Sequence, residues 1–288
     1  MSSQPFTIVV PAYNEEAGIA ETIERIRTGL DGSGRDYEIL VVNDGSTDRT
    51  GEVIASLEGI TCVEHPHNRG YGAALKTGIE AARHDLIVIT DADGSYPVDQ
   101  IPKLVDLCQD VDMVVGARTG QNVQYSKLRS IPKVFLVRFA EWITRRKIPD
   151  LNSGLRVFRR DVARRFSGIL SDGFSFTTTI TLAMLTNGYR VVYTPIDYYA
   201  RTGKSKIRPI RDTLRFVNLI LKAGVYFAPL RIFGPIAWLL FVGFLISAGY
   251  DVFVRYDLRE TTLLLFLAAM QFGAFAFLAD MIVVRTMR

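Results

Sequence analysis

The stretch LIVITDADGSYP, residues 86–97, joins a short apolar run to two aspartates, Asp91 and Asp93, that are separated by a single alanine. An apolar run of this length is typical of a strand that is buried on both faces of a sheet. Two carboxylates so close together repel each other unless a positive charge lies between them. The stretch therefore predicts a central strand that leads into a site for a cation.

The sequence around this stretch alternates between apolar runs and amphipathic segments. Strands are predicted at FTIVVPAYNE, YEILVVNDGSTD, ITCVEHP, LIVITDAD and VDMVVGAR, and helices are predicted between them. This alternation is typical of an α/β domain with a mostly parallel, Rossmann-like sheet that carries helices on both faces.

Polar residues follow four of the predicted strands. Ligands of open parallel sheets bind beyond the carboxyl ends of the strands, so polar side chains at four such ends predict a binding site there. The residues that follow these strands are Asn14 and Glu15, Asn43 and Asp44, Asp91 and Asp93, and Arg118.

The aspartate pair suits a hard divalent cation. Carboxylates two residues apart at a strand end project to the same side, and Mg²⁺ or Mn²⁺ commonly takes one or two carboxylates together with substrate phosphates. The sequence contains no P-loop motif, which argues against a P-loop phosphotransferase. The glycine-rich segment NRGYGAALKTG, residues 68–78, has two interpretations at this point: backbone N–H groups that approach an anion, or close packing of a helix.

The C-terminal part of the chain is strongly apolar. Two uncharged runs, 232–250 and 261–279, are each long enough to cross a bilayer and are joined by the short polar interval 251–260. We expect a transmembrane hairpin with spans at about 232–254 and 261–284. The corresponding domains are a catalytic domain at 1–208, amphipathic interfacial helices at 209–231 and two transmembrane helices at 232–288.

The charge distribution predicts the topology. The chain has a formal net charge of +4, but residues 201–231 contain eight basic residues and one acidic residue. By the positive-inside rule this segment lies on the cytoplasmic face, and no signal peptide precedes the first strand. We therefore expect an integral protein of the plasma or endoplasmic reticulum membrane, with the catalytic domain and both termini cytoplasmic. The first 200 residues are slightly acidic, which argues against a nucleic-acid partner.

Four motifs, VVPAYNE, VVNDGSTD, NRGYGAALKTG and DAD, resemble in order and spacing the family-2 glycosyltransferases, which are inverting enzymes of the GT-A fold. The resemblance covers about residues 5–208. It implies that Asp91 and Asp93 bind a Mg²⁺ or Mn²⁺ ion that bridges the diphosphate of a nucleotide-sugar. It also assigns a set of residues to the nucleotide: Pro11, Tyr13, Glu15, Asp44 and Asp91.

Two later motifs, DLNSGLRVFRR at 150–160 and YARTGKSKIRP at 199–209, resemble the polyprenyl-phosphate glycosyltransferases, which are similar to dolichol-phosphate mannosyltransferase. The resemblance implies transfer of one hexose, mannose or glucose, from a GDP- or UDP-hexose to a dolichyl or undecaprenyl phosphate. It places Asp150 in the family's middle motif and among the catalytic residues. Asp150 could hold a sugar hydroxyl or a charged partner, or form a structural pair with Arg156 or Arg160. The acceptor phosphate is assigned to Arg201, Lys204, Ser205 and Lys206, with Arg118 and Arg129 as further candidates.

Several alternatives stay open at this point. The basic loop before the first span could serve only topology, and the acceptor could be another lipid or a glycan. A sugar nucleotidyltransferase and a non-enzymatic membrane scaffold or flippase subunit are further options. A homo-oligomer is also compatible with the sequence, with Asp280 paired between protomers. Phe135, Phe139 and Trp142 lie at helical spacing, which is typical of core packing or of an interfacial helix.

Overall fold

A computed structural model describes residues 4–120, 130–199, 222, 224–226 and 228–286 of the chain. The chain divides into two compact units, Met1–Phe216 and Val217–Arg288. The boundary predicted at 208 and the interfacial helices predicted at 209–231 fall largely outside the described residues, so they stay predictions.

The described part of the first unit contains a seven-stranded sheet with the order β3-β2-β1-β4-β6-β5-β7. Six strands share one direction, and β6 runs antiparallel to both of its neighbours, β4 and β5. The prediction of a mostly parallel α/β sheet is therefore confirmed. The strands are β1 (Phe6–Ala12), β2 (Tyr37–Asn43), β3 (Thr61–Glu64), β4 (Leu86–Ile89), β5 (Met113–Ala117), β6 (Arg156–Arg159) and β7 (Val191–Pro195).

Helices cover both faces of this sheet. They are α1 (Ile19–Leu30), α2 (Thr50–Ala55), α3 (Tyr71–Ala81), α4 (Ile101–Leu107), α5 (Ser130–Thr144), α6 (Arg160–Arg165) and α7 (Phe176–Thr186). The alternation of side chains along β1 separates the two faces. Ile8 and Val10 share a core with Ile23 and Ile26 of α1, whereas Val9 points to α3 on the opposite face.

The close approach of α3 to the sheet depends on Gly78. A Cβ atom at this position would collide with Cγ1 of Val9 and would lie 3.2 Å from Cγ2 of Val42. The glycine therefore allows the helix to lie directly on β1 and β2, which places the start of α3 beside the carboxyl ends of these strands.

The second unit contains two apolar helices, α8 (Pro229–Tyr250) and α9 (Glu260–Thr286). Both have the length and composition to cross a membrane, with a mean hydropathy of 2.0. They pack side by side, and the rings of Phe244 and Phe266 lie 5.0 Å apart. The predicted pair of C-terminal apolar helices is thus confirmed.

The connection between α8 and α9 is a four-residue turn. Helical backbone continues past α8 through Arg255, close to the predicted end of the first span at about 254, and only 256–259 forms the turn. The reason is the buried carboxylate of Asp251, which accepts hydrogen bonds from Thr262 Oγ1 at 2.6 Å and from the N–H of Arg259 at 3.1 Å. A carboxylate at this position is thus satisfied within the hairpin itself.

We predict that Gly78→Ala destabilises the catalytic unit by about 1–3 kcal/mol, because the added methyl group must displace α3 from Val9. Gly168→Ala is the matched control, since a Cβ at Gly168 meets no atom within 4 Å. Thermal unfolding of the full chain in detergent measures both effects. Equal melting temperatures for the two variants would contradict the packing argument.

Candidate active site

The turn after β4 carries the aspartate pair. β4 ends at Ile89, so Asp91 and Asp93 lie in the turn beyond the strand and not on the strand itself. Asp93 is buried, and its Oδ1 accepts hydrogen bonds from the N–H of Ser95 at 3.1 Å and from Ser95 Oγ at 2.5 Å. Asp91 Oδ1 accepts a hydrogen bond from the hydroxyl of Tyr71 at 2.8 Å. These donors are neutral, so they orient the two carboxylates without cancelling their charge.

Gly154 lies directly against the carboxylate of Asp91. A Cβ atom at this position would lie 2.8 and 2.9 Å from the two carboxylate oxygens of Asp91. The N–H of Gly154 donates a 2.6 Å hydrogen bond to the hydroxyl oxygen of Tyr96, which is almost fully buried. Burial raises the pKa of the Tyr96 hydroxyl, which keeps it neutral. A glycine is therefore required here if the space beside Asp91 is to stay open for a ligand.

The turn 151–154, which contains Gly154, is held by the guanidinium of Arg156. This side chain is fully buried, and burial lowers its pKa, although an arginine stays protonated in proteins. Nε donates to the carbonyl of Ser153 at 2.7 Å, and another nitrogen donates to the carbonyl of Leu151 at 2.9 Å. A third hydrogen bond, to Thr181 Oγ1 at 2.5 Å, fixes the guanidinium to α7. Arg156 thus fixes the conformation of the turn by hydrogen bonds from the interior of the domain.

Asp150 forms an ion pair with Arg118. Arg118 Nε and its second guanidinium nitrogen donate to the two oxygens of Asp150 at 2.7 and 2.9 Å. Of the alternatives for Asp150, the structural pair with Arg156 or Arg160 is therefore wrong, and the charged partner is Arg118. Arg156 is occupied by the carbonyl groups of the turn, and Arg160 donates to the carbonyl of Glu80 at 2.7 Å, on another part of the domain.

Two tyrosines join this ion pair to the aspartate turn. The guanidinium of Arg118 lies over the ring of Tyr198 at 5.2 Å from its centre, and Tyr198 packs edge-on against Tyr96 at 5.2 Å. Tyr96 in turn holds Gly154 against Asp91. The three predicted residues Asp91, Asp150 and Arg118 therefore belong to one connected set of contacts at the carboxyl end of the sheet.

The loops that follow β1 and β2 are tied to each other. The N–H of Asn14 donates to Ser46 Oγ at 3.1 Å, and the N–H of Thr47 donates to Asn14 Oδ1 at 2.8 Å. Asn14 has a positive φ of 52°, a conformation that asparagine tolerates better than most residues. Among the residues assigned to the nucleotide, Pro11 is buried in β1, while Tyr13 and Glu15 are half-buried in the loop beyond it.

Asp44 has a structural role in addition to its assignment to the nucleotide. It is buried, with Oδ1 2.6 Å from Nδ1 of His65 and accepting the N–H of Arg69 at 2.9 Å. Oδ2 accepts the N–H of Gly70 at 2.8 Å. The carboxylate of Asp44 therefore anchors the start of the glycine-rich segment 68–78.

These contacts decide between the two interpretations of that segment. The anion that its first N–H groups bind is the carboxylate of Asp44, which belongs to the protein. Gly72 lies in close contact with the backbone carbonyl of Ser171, and the N–H of Ala73 donates to the carbonyl of Asp172 at 3.0 Å. Close packing thus accounts for the glycines at 72 and 78.

Five predicted residues cannot be placed. Arg129, Arg201, Lys204, Ser205 and Lys206 lie outside the described residues. Tyr71, Tyr96, His65 and Tyr198 were not predicted, although Tyr71 stands within the glycine-rich motif. Their roles depend on contacts between residues far apart in the sequence, and an aromatic or histidine in isolation gives no signal of such contacts.

The site suits a divalent cation that is shared with a ligand. In the part of the chain that the structure describes, no cluster of three or more His, Cys, Asp or Glu side chains could hold a metal alone. The Asp91–Asp93 turn offers two carboxylates whose described hydrogen-bond donors, Tyr71 and Ser95, are neutral, and the missing side chain at Gly154 leaves space beside Asp91. Mg²⁺ or Mn²⁺ completes its coordination in such sites with water and phosphate oxygens.

A family comparison agrees with this geometry. The sequence profile of Glycosyl transferase family 2 matches residues 7–167. The chain belongs to this family. The match includes the ends of β1, β2 and β4 and the turn that carries Gly154, so the family match and the connected contacts described above concern the same part of the molecule.

Curated relatives include two proteins of Haloferax volcanii. The chain is 30% identical to a dolichyl-phosphate hexose transferase over 217 residues, which cover 75% of this chain and 92% of the relative. It is 31% identical to the low-salt glycan biosynthesis hexosyltransferase Agl6 over 75% of this chain, but spans only about half, 52%, of that protein. An undecaprenyl-phosphate 4-deoxy-4-formamido-L-arabinose transferase of Klebsiella pneumoniae is 31% identical over 81% of this chain and 72% of its own length.

The fold resembles that of a solved glycosyltransferase. Glucosyl-3-phosphoglycerate synthase from Mycobacterium tuberculosis, in a complex with Mn²⁺, UDP and phosphoglyceric acid, superposes with a TM-score of 0.59 at 20% identity. The match covers 77% of this chain and 78% of the synthase. At this identity the likeness concerns the fold alone, and it confirms the predicted GT-A-like architecture.

We predict that Asp150→Asn lowers the free energy of unfolding by about 3–5 kcal/mol, because the largely buried guanidinium of Arg118 loses its partner. Glu80→Gln is the control: it breaks an ion pair with Arg164 in which both side chains are about half exposed, 54% for Glu80 and 47% for Arg164. For such a pair we expect a loss of about 1 kcal/mol or less. Chemical denaturation of the full chain in detergent measures both values. Equal losses would contradict the structural role assigned to the Arg118–Asp150 pair.

Proposed function

We propose that the protein is a membrane-anchored, metal-dependent, inverting glycosyltransferase that moves one hexose from a nucleotide-sugar to a polyprenyl phosphate on the cytoplasmic side of a membrane. The observation that carries the proposal is the turn that contains Asp91 and Asp93, kept open by Gly154, at the carboxyl end of a glycosyltransferase family 2 domain. The names of the relatives support the acceptor: two of them are named as acting on dolichyl phosphate or undecaprenyl phosphate.

The donor side of the site follows from the positions of the acidic residues. Asp91 and Asp93 would hold the divalent metal, Mg²⁺ or Mn²⁺, and Asp91 would also contact the ribose. The loops after β1 and β2, which carry Tyr13, Glu15 and Asp44, would surround the base and ribose. Bound there, the metal would neutralise the diphosphate and stabilise the charge that develops on it as the nucleotide leaves.

The carboxylates must be rigid for this role. Tyr71 and Ser95 fix one oxygen of each, and the exclusion of a side chain at Gly154 keeps Asp91 accessible. The protein thus fixes the two acidic ligands before the donor binds, so little reorganisation is needed when it arrives.

The reaction itself needs little proton transfer. An oxygen of the lipid phosphate attacks the anomeric carbon, the bond from this carbon to the donor phosphate breaks, and the nucleoside diphosphate leaves with the electron pair. A phosphate monoester is largely ionised at neutral pH, since its second pKa is about 6, so the nucleophile does not depend on a general base. The main task of the protein is to bring two anionic reactants together.

This task requires cations around the acceptor phosphate. Arg201, Lys204 and Lys206, with Ser205 as a neutral donor, would bind it, and Arg129 is a further candidate. The guanidinium of Arg118 is held on Asp150 by two hydrogen bonds and its backbone N–H by a third, so Arg118 would contribute positive potential at the site while Asp150 fixes its position. Asp150 would act on the reaction by orienting Arg118 or through a sugar hydroxyl.

We predict that Asp93→Asn abolishes formation of lipid-linked hexose, with a loss of roughly a hundredfold or more, because a metal contributes several kcal/mol of transition-state stabilisation. The assay supplies the purified full chain with GDP- and UDP-hexoses, a polyprenyl phosphate and Mn²⁺ or Mg²⁺. Mass spectrometry of the lipid phase then identifies the product and hence the donor.

The matched control is Asp110→Asn, an exposed position before the amino end of β5 and thus at the sheet edge opposite the site. Full activity in both variants would contradict the metal assignment. Release of nucleoside diphosphate without a glycosylated lipid would support the proposed donor site and contradict the proposal that the acceptor is a polyprenyl phosphate. A folded protein that binds no donor in the full panel would favour a non-enzymatic role.

We further predict that Lys204→Gln and Lys206→Gln raise the KM for polyprenyl phosphate by about 10- to 150-fold each, since a charge-assisted hydrogen bond is worth about 1.5–3 kcal/mol. The KM for the nucleotide-sugar should stay unchanged. Lys103→Gln, at an exposed position on α4, is the control for loss of one positive charge. An unchanged acceptor KM in both loop variants would mean that the basic loop serves topology and not acceptor binding.

A further inference from the structure

Helix α5 has one face in the core and one face in solvent. Ala140 and Ile143 are fully buried, whereas Val134 and Trp142 are 57% and 48% exposed. The side chain of Arg138, halfway between these two, is also exposed. Residues spaced by four lie on the same side of a helix, so the three exposed side chains form a stripe along α5. The helix therefore packs against the core on one face and leaves the other face exposed; the side chain of Phe135, which belongs to the same predicted pattern, lies outside the described residues.

The aromatic part of this stripe is ordered by stacking. The ring of Phe139 lies 5.7 Å from that of Trp142, with 24° between their planes, and Phe139 itself is half-buried. The indole is thus supported on one side by the domain while its other side stays exposed. A large aromatic ring in this position leaves apolar area in water that a suitable partner would cover.

Positive charge is concentrated at the C-terminal end of the stripe. The helix ends at Thr144, and Arg145 adopts a positive φ of 56° that turns the chain away from the helix axis. Arg145, Arg146 and Lys147 are all exposed. In the described ranges of the chain, no carboxylate lies within ion-pair distance of these three side chains.

The single acidic residue between 130 and 149, Glu141, does not neutralise this cluster. Its Oε1 accepts a hydrogen bond from the N–H of Ile148 at 3.0 Å, and its Oε2 lies 3.8 Å from a guanidinium nitrogen of Arg138. The dipole of a helix favours cations near its C-terminal end, where these three residues lie. The dipole does not account for the exposed Trp142 and Val134 on the neighbouring surface.

We infer that this surface binds the head-group region of an anionic lipid bilayer. An amphipathic aromatic ring beside lysine and arginine side chains is the composition of segments that lie at a membrane interface, where the ring enters the acyl boundary and the cations meet lipid phosphates. The residues of the surface, called the α5 surface below, are Val134, Arg138, Phe139, Trp142, Arg145, Arg146 and Lys147.

The inference rests on the membrane part of the proposed function, because α8 and α9 would hold the chain at the bilayer to which the α5 surface binds. A second contact with the membrane would restrict the orientations that the catalytic domain can adopt. Its contribution is therefore positional, and it can be measured without any assay of sugar transfer.

The chain contains only two tryptophans, Trp142 on α5 and Trp238 on α8. The single-tryptophan variant Trp238→Phe reports on the α5 surface, and Trp142→Phe reports on the apolar helix. Both full-length variants are reconstituted into nanodiscs that contain phosphatidylglycerol and a lipid brominated near the glycerol end of its acyl chains. Bromine quenches tryptophan only at close range.

For Trp142 we expect blue-shifted emission whose intensity falls by roughly half in brominated lipid, because the ring of an interfacial tryptophan lies at the boundary between head groups and acyl chains. Trp238 should be quenched as well if α8 crosses the bilayer. Quenching of Trp238 without quenching of Trp142 overturns the inference and leaves the membrane anchor intact, whether Trp142 is in water or covered by another part of the chain. Absence of quenching at both sites overturns the inference together with the membrane part of the proposed function.

The charge component has its own variant. In the Trp238→Phe background, the triple substitution Arg145→Gln, Arg146→Gln and Lys147→Gln should reduce the quenching of Trp142 several-fold in anionic nanodiscs, and salt should have the same effect on the unsubstituted surface. The matched control replaces three exposed basic residues elsewhere with glutamine: Arg83, Lys103 and Arg159. An equal loss of quenching in both triple variants would mean that net charge, and not the α5 surface, governs the contact.

Discussion

A guanidinium that is fully buried must find acceptors for its N–H groups inside the protein, because leaving them unpaired would cost several kcal/mol. Arg156 finds them in the carbonyl groups of Leu151 and Ser153 and in the hydroxyl of Thr181. These hydrogen bonds impose a tight turn on 151–154 at the start of β6. Because β6 lies between β4 and β5 and runs antiparallel to both, the turn at its start lies beside the carboxyl ends of the two neighbouring strands.

The two ends of this turn serve different parts of the site. On one side Asp150 holds Arg118, the residue that follows β5, and so keeps a positive charge in a fixed position. On the other side Gly154 lies against Asp91 and leaves space where any other residue would place a side chain. The buried guanidinium of Arg156 thus helps to position both Asp91, which is proposed for the donor, and Arg118, which is proposed for the acceptor. A transferase that joins two anionic substrates needs the groups that bind them to be held at fixed positions relative to each other.

Much of this arrangement could be predicted from the sequence, and the remainder depends on long-range contacts. The apolar runs of β1, β2, β4 and β5 predicted the parallel sheet, and the polar residues after them predicted the edge of the sheet at which the candidate site residues meet. β6 was not predicted, since RVFR is short and flanked by arginines, and its insertion between β4 and β5 decides that Asp150 meets Arg118 and not Arg156. Similarly, Asp44 looked like a ligand residue, but the positions of His65 and Gly70 show that its carboxylate also anchors the glycine-rich segment.

The proposed function depends above all on the Asp91–Asp93 turn binding a metal together with a nucleoside diphosphate. The most direct measurement is the electron paramagnetic resonance signal of aqueous Mn²⁺, titrated with the purified full chain in the presence and absence of UDP and GDP. If the proposal is right, protein and one of the two nucleotides together lower the signal of free Mn²⁺ well beyond the fall that the nucleotide alone or the protein alone produces, and an Asp93→Asn variant adds nothing to the effect of the nucleotide. If calorimetry shows that the nucleotide binds equally well in EDTA, and the Mn²⁺ signal is unchanged by the protein, the turn is not a metal site and the account fails.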